Sequence, residues 1–152
     1  MKLFAAILFL CFLSVQTVWG QKPNFLPYLS FSSEYEKEAW TNTKKDYLHL
    51  FSSIDSTSTL ADVRAFRKRL DDFLALHPTQ TEGKKRSRDL MNLYVSVHQE
   101  FLKRYRSIIY FPELIRKGEF NCVTSTVLYA IILDHFKIPY VIIEEPNHVY
   151  LI

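Results

Sequence analysis

One segment of the sequence is apolar on almost every face of the helix that it would form. Residues 122–136 read CVTSTVLYAIILDHF, and Asp134 is the only aspartate, glutamate, lysine or arginine among them. A helix that is apolar all round is normally buried inside a domain, because no side of it favours water. The fold is therefore expected to form around this segment as a central buried helix.

The residues that follow this helix are typical of a β-hairpin. Lys137-Ile138-Pro139 predicts a turn, and residues 140–143 are aromatic and β-branched, which favours a strand. Residues 144–147 predict a second turn, and a second strand is expected to begin at His148. The end of the sequence thus predicts a helix packed on an antiparallel sheet.

Three amphipathic patterns before this segment predict helices over residues 33–51, from Ser58 or Thr59 to His77, and over residues 87–105. Pro78 ends the second helix, because a residue before proline is disfavoured in the helical conformation. Residues 107–118 predict a connector. With 152 residues, 48% of them apolar and 23% charged, the chain suits one globular domain over residues 33–152. The predicted class is α+β, with a helical N-terminal half.

The first twenty residues are typical of a secretory signal peptide. Lys2 supplies the positive start, residues 3–13 form an apolar stretch, and cleavage is expected after Gly20. An uncleaved anchor is the weaker alternative, because polar residues interrupt the run before it reaches bilayer length. Residues 21–32 predict an extended lead-in. We expect a secreted or periplasmic protein without stable membrane insertion after cleavage.

Cleavage at this site would leave the mature chain with a single cysteine. The sequence has two, Cys11 in the signal peptide and Cys122 at the start of the apolar helix. Secreted proteins that use cysteine structurally have an even number of them. Cys122 is therefore an inert buried residue, an intermolecular link or a reactive thiol.

Charge and histidine spacing argue against other classes of site. The net charge of +3 is too small to indicate a nucleic-acid partner, and the basic cluster around Lys84 and Lys85 is expected to be a solvated helix face. His49, His77 and His98 have no metal-ligand spacing and are interpreted as ordinary structural residues. We expect no metal and no cofactor.

The predicted elements bring Cys122 and His148 to the same level. A helix over residues 122–136 rises about 22 Å, and a strand over residues 139–145 returns about 23 Å. If the strand is antiparallel to the helix, the turn at Pro146 lies beside the helix start. His148 is the first histidine after that turn.

The chemistry gives this pair a role. A thiol is mostly protonated at neutral pH and is then a poor nucleophile. The positive end of a helix dipole and its unpaired N–H groups favour a thiolate at Cys122, and could also stabilise an oxyanion. The imidazole of His148 would take the thiol proton and later protonate a leaving group. Gly118 gives the approaching chain freedom to bend. Without further support, a cysteine here is more often a packing residue.

Three motifs of the last thirty-five residues, in order, resemble the transglutaminase-like superfamily. They are the G-x-x-x-C opening at Gly118 and Cys122, the Ile138-Pro139 pair before a strand, and His148-Val149-Tyr150 on the next strand. The similarity is greatest to secreted bacterial members of unknown substrate. The resemblance implies a papain-like α+β fold with Cys122 as nucleophile and His148 as base.

The resemblance also implies an aspartate on the strand after the histidine, which would orient the imidazole. The sequence stops at Ile152, so we expect either a fragment truncated at its C-terminus or an incomplete triad. Asp134 is expected at the wrong part of the helix, and Glu144, Glu145 and Asn147 are expected to face solvent.

The leading functional hypothesis is acyl transfer, or hydrolysis of an amide or peptide, through a thioester on Cys122. The partner would be a peptide or protein substrate. The first alternative is a non-catalytic peptide-binding or scaffold module of the same fold, with Tyr110, Phe111 and Tyr129 lining a peptide groove. The second is a purely helical interaction protein, which predicts no strands in residues 119–152.

Overall fold

The computed structural model describes residues 31, 33–41, 46–55, 57–77 and 86–152. The predicted signal peptide with its cleavage site at Gly20, almost all of the lead-in, Lys84 and Lys85 lie outside these residues. Within them the chain is mixed α+β, with two separate two-stranded sheets. No helix in this part of the chain is long and apolar enough to cross a bilayer.

The first predicted helix is divided in two. α1 spans Glu34–Thr41 and α2 spans Tyr47–Ser52. Asp46 is extended, with φ −94° and ψ 92°, and its carboxylate accepts the backbone N–H of His49 at 3.2 Å. The prediction of one helix over residues 33–51 is wrong, because a residue that caps a helix in this way is itself outside it.

The second helix, α3, is confirmed at both ends and spans Leu60–Leu76. Thr59 and Asp62 form a capping box, in which each side chain accepts the other residue's backbone N–H. His77 ends the helix with φ −122° and ψ 61°. The helix thus ends at the residue before Pro78, as the sequence predicted.

The third helix, α4, spans Arg86–Phe101 and ends four residues before the predicted boundary at Tyr105. Beyond it, β1 (Arg104–Tyr105) pairs in parallel with β2 (Glu119–Phe120). The backbone N–H of Lys103 donates to Gly118 O at 2.8 Å. The predicted boundary is wrong because the N–H groups in this segment bind carbonyls near β2 instead of the preceding helical turn.

The predicted connector contains a helix, α5, which spans Phe111–Lys117. Pro112 stands in its first turn, where no N–H is needed. Gly118 ends α5 in the left-handed conformation with φ 69° and donates its N–H to Leu114 O at 2.9 Å. The chain then enters β2 directly.

The apolar helix and the hairpin after it are confirmed. α6 spans Cys122–His135, β3 spans Ile142–Glu145 and β4 spans His148–Leu151, with β3 and β4 antiparallel. Pro146 and Asn147 make the turn, so Glu144 and Glu145 belong to β3 rather than to the turn. These strands contradict the purely helical alternative.

The core is one cluster that helices α2 to α6 share. Its most buried large side chains are Leu48, Val97, Phe101, Leu114, Leu128 and Ile132. The expectation that α6 is buried on all sides is wrong. Leu128 and Ile132 are its buried apolar residues, whereas Val123 is 52% exposed. A two-stranded hairpin is too narrow to cover the remaining circumference of an apolar helix.

Gly118 provides a test of how α5 is joined to α6. A Cβ at this position would stand 2.7 Å from Lys103 Cγ and 2.9 Å from Phe101 O, in a conformation that L-residues avoid. We expect Gly118→Ala to lower the free energy of unfolding by about 1–3 kcal/mol. The measurement is urea denaturation followed by circular dichroism, with Lys117→Ala as the neighbouring control. Equal midpoints for the two variants would contradict the structure of this junction.

Candidate functional site

The start of α6 is held by a capping box that the sequence interpretation missed. Asn121 Oδ1 accepts the N–H of Thr124 at 2.9 Å, and Thr124 Oγ1 accepts the N–H of Asn121 at 2.9 Å. Asn121 Nδ2 also donates to the carbonyls of Ser107 and Ile109 at 3.4 and 3.5 Å. The spacing of an asparagine three residues before a threonine was the available signal.

Cys122 is the first residue of α6 and a free, partly exposed cysteine. The backbone N–H groups of Cys122 and Val123 have no acceptor among the described residues, as expected in the first turn of a helix. The thiol therefore lies beside unpaired donors at the positive end of a helix of 14 residues. The predicted environment of Cys122 is confirmed in this respect.

β4 is fastened to α6 one turn beyond the thiol. Thr126 Oγ1 donates to the carbonyl of Val149 at 3.2 Å, and Thr126 lies four residues after Cys122 on the same side of the helix. Val149 directly follows His148. The hairpin turn therefore lies near the start of α6, as the length argument predicted.

Cys122 and His148 line the same groove. His148 begins β4, is exposed, and lies against Tyr150 with ring centroids 5.5 Å apart and the planes 24° apart. No hydrogen bond joins Cys122 Sγ to the imidazole within the described residues. The structure thus brings the two predicted residues into one cleft but not into direct hydrogen bonding.

The groove has a volume of about 390 Å³ and three structural elements line it. One side of α6 supplies residues from Cys122 to Leu133, α4 lies along one flank, and β4 lies along the other. This volume is in the range of small ligand sites. No group of three or more histidine, cysteine, aspartate or glutamate side chains in the described part could hold a metal ion.

A hydrogen-bonded aromatic cluster forms the α4 side of the groove. Tyr129 donates its hydroxyl hydrogen to Tyr94 O at 3.1 Å and is 3.0 Å from His98 Nδ1. A tyrosine hydroxyl has one hydrogen, so Nδ1 of His98 must be the donor in the second bond. Burial, and to a lesser extent the neighbouring Tyr94, raises the pKa of Tyr129, which keeps this hydroxyl un-ionised.

His98 therefore has a more specific role than the ordinary structural one that the sequence suggested. With the hydrogen on Nδ1, Nε2 is the nitrogen with the lone pair in the neutral form of the ring, and it has no partner among the described residues. The ring also meets Phe120 edge-on, with centroids 5.8 Å apart. The i, i+4 spacing of Tyr94 and His98 on α4 was a weak signal that both face one side.

The three aromatic residues of the binding-module alternative do not meet in one place. Tyr129 lines the groove, whereas Tyr110 is 61% exposed beside the separate surface formed by residues 106–119. Phe111 is 3% exposed and belongs to the core. This grouping is wrong because Phe111 begins α5, which packs its apolar side inward, whereas Tyr110 is the extended residue before the helix.

Carboxylates near the site agree with the expectation from sequence. Glu145 lies opposite His148 in the hairpin and accepts the hydroxyl of Tyr150 at 3.2 Å. Asp134 lies at the far end of α6, where burial and then this carboxylate raise the pKa of Tyr140. No carboxylate of the described residues is hydrogen-bonded to His148.

Comparisons of the chain with models of known protein families, with curated proteins and with solved structures found no match.

The tautomer of His98 can be measured directly. Nitrogen-15 NMR of the ring at a pH where it is neutral should find the hydrogen on Nδ1. In Tyr129→Phe the acceptor is lost, and we expect the signal to move toward the mixture of tautomers seen in free histidine. Tyr150→Phe is the control and should leave His98 unchanged. A hydrogen on Nε2 in the unmodified chain would contradict the cluster described above.

Proposed function

We propose that this protein is a cysteine-nucleophile enzyme that transfers or hydrolyses the acyl group of a peptide or protein amide. Cys122 would be the nucleophile and His148 the base. The observation that carries the proposal is their position in one groove, with the thiol partly exposed at the capped start of α6. The hydrogen bond from Thr126 to Val149 also supports the pairing of Cys122 with His148. Thr126 lies one helical turn after Cys122, and Val149 directly follows His148.

In the proposed reaction, the His148 imidazole accepts the proton of Cys122 and Sγ attacks the amide carbonyl carbon. The oxyanion would be stabilised by the free N–H groups at the start of α6. Collapse of the tetrahedral intermediate breaks the C–N bond, and the amine leaves with the proton that the imidazolium returns. Water then cleaves the thioester to an acid, or an amine takes the acyl group.

The transglutaminase-like resemblance adds a family to this proposal. Its papain-like core has a nucleophile-bearing helix against an antiparallel sheet, and the arrangement of α6 with β3 and β4 is compatible with part of such a core. Members of this superfamily differ in reaction, so the fold alone does not choose between hydrolysis and transfer. We favour peptide hydrolysis over transfer, because we expect the protein to be exported. The predicted signal peptide over residues 1–20 supports the export.

Alkylation of the thiol tests the nucleophile and its base together. We expect iodoacetamide at pH 7 to label Cys122 faster than a free cysteine, and His148→Ala to slow that labelling about tenfold. The rate is measured by mass spectrometry after peptide mapping, because Cys11 is also a thiol in the full chain. His135→Ala, an exposed histidine at the other end of α6, is the matched control.

Sluggish labelling of Cys122 that His148→Ala leaves unchanged would end the enzymatic proposal. It would favour the second candidate, a non-catalytic module that binds peptides in the same groove. One observation favours that candidate: in the described residues no hydrogen bond links the sulfur to the imidazole. A catalytic cysteine hydrogen bond is often long before substrate binds, so the two candidates differ in reactivity rather than in this geometry.

A further inference from the structure

The groove continues well past the thiol and changes character as it does so. Its far part, which we call the leucine end, is formed by Leu90 and Leu93 of α4, Leu133 of α6 and Leu151 of β4. Leu93 belongs to the core, whereas Leu90, Leu133 and Leu151 are partly exposed. Three partly exposed leucines from three elements, with Leu93 behind them, thus offer one apolar surface.

The polar atoms along this groove are largely engaged by the protein itself. The hydroxyl of Tyr129 bonds Tyr94 O and His98, and the hydroxyl of Tyr150 donates to Glu145. No aspartate, glutamate, lysine or arginine is among the side chains that line the groove. At the leucine end hydrocarbon is therefore what remains for a bound side chain, and a charged side chain there would lose water without gaining a partner.

The free edge of β4 points to a peptide as the occupant. Val141 and Ile152 exchange both backbone hydrogen bonds, and in an antiparallel pair such exchange recurs at every second residue. Going back along β4 from Ile152, the residues that bond to β3 are therefore Tyr150 and His148. The N–H and C=O groups of Val149 and Leu151 therefore face the other edge. Val149 O reaches Thr126 on α6, which places that edge on the helix side. Because Val149 O is taken by Thr126, the groups that remain at this edge are the N–H groups of Val149 and Leu151 and the carbonyl of Leu151. An extended backbone can use such donors and acceptors, whereas a lipid chain cannot.

The distances suit a short peptide. Cys122 and Leu133 are separated by eleven positions of α6, which is about 16 Å. An extended peptide covers that length with about five residues. A chain whose carbonyl reaches Cys122 would therefore place a side chain three to five residues away at the leucine end.

We propose that the leucine end is a specificity subsite that accepts a large apolar or aromatic side chain of the peptide substrate. This inference rests on the proposed function, because it identifies the class of acyl donor for the same thiol. The peptide lies extended between α4 and β4, with its apolar side chain on the leucines and its reacting carbonyl at Cys122.

The first experiment measures covalent selectivity with the full chain. Capped five-residue alanine peptides ending in a chloromethyl ketone carry phenylalanine, lysine or glutamate three, four or five residues before the reactive carbon. Cys122 sulfur displaces chloride and forms a thioether, which mass spectrometry follows after peptide mapping. We expect one phenylalanine peptide to react about tenfold faster than its lysine and glutamate counterparts. Each rate is divided by the iodoacetamide rate of the same variant.

Variants at the leucine end should remove this preference. In Leu90→Gln and Leu133→Gln the advantage of the phenylalanine peptide is expected to fall about fivefold. Val95→Gln is the matched control: Val95 is 44% exposed on α4 and does not line the groove. Two variants on different helices keep the test valid if one fails to fold, which circular dichroism will reveal.

The second experiment separates this inference from the proposed function. Cys122→Ala is titrated with the same peptides as unreactive amides, and binding is followed by NMR. Tighter binding of the phenylalanine amide that weakens in Cys122→Ala combined with Leu133→Gln supports the subsite, even if the thiol is unreactive. Equal binding of all amides overturns the subsite and leaves the alkylation result for Cys122 untouched. Weaker peptide binding at higher protein concentration would mean that a second copy fills the groove, and would also overturn it.

Discussion

The side chain of Asn121 fixes the start of α6, and the position of the candidate site depends on it. Asn121 is 8% exposed and its side chain joins two segments of the chain. Its oxygen caps the helix at Thr124, and its nitrogen holds the loop at residues 107 and 109. A buried cap of this kind settles which residue is first in the helix. Here that residue is Cys122, and in the part of the chain that the structure describes its N–H group and that of Val123 have no acceptor.

The two sides of the groove are positioned by different forces. α4 is held by apolar burial of Val97 and Phe101 in the core and by the Tyr129 hydroxyl, which reaches both Tyr94 and His98. β4 is held by β3 on one side and by α6 on the other, where the Thr126 hydroxyl adds a hydrogen bond. A two-stranded hairpin alone is only marginally stable, so the packing of β4 on α6 is what keeps His148 beside the groove. The two sides thus differ in kind: buried apolar side chains position α4, whereas backbone pairing and packing on α6 position β4.

The sequence predicted the elements whose signals are local. The capped helix α3, the apolar helix α6 and the hairpin all follow from periodicity and turn residues, and the arrangement of Cys122 near β4 followed from their lengths. The break at Asp46 has a local cause that the sequence interpretation missed, the cap on His49, and a long-range contact that it could not predict, the ion pair of the Asp46 carboxylate with Arg67 at 2.5 Å. The short parallel pairing of β1 with β2 likewise joins segments that are far apart in the chain. His98 was interpreted as ordinary because its partner, Tyr129, is 31 positions away.

The bond from Thr126 to Val149 uses a carbonyl oxygen of the main chain. Every amino acid carries that oxygen, so replacement of the side chain at position 149 does not remove the acceptor. Natural variation along β4 can thus alter the groove surface while the strand stays attached to α6. The two ends of this attachment tolerate change unequally: position 126 needs a hydroxyl, and position 149 needs only a peptide group in an extended conformation. Diversity among related chains should therefore accumulate at 149 before it reaches 126.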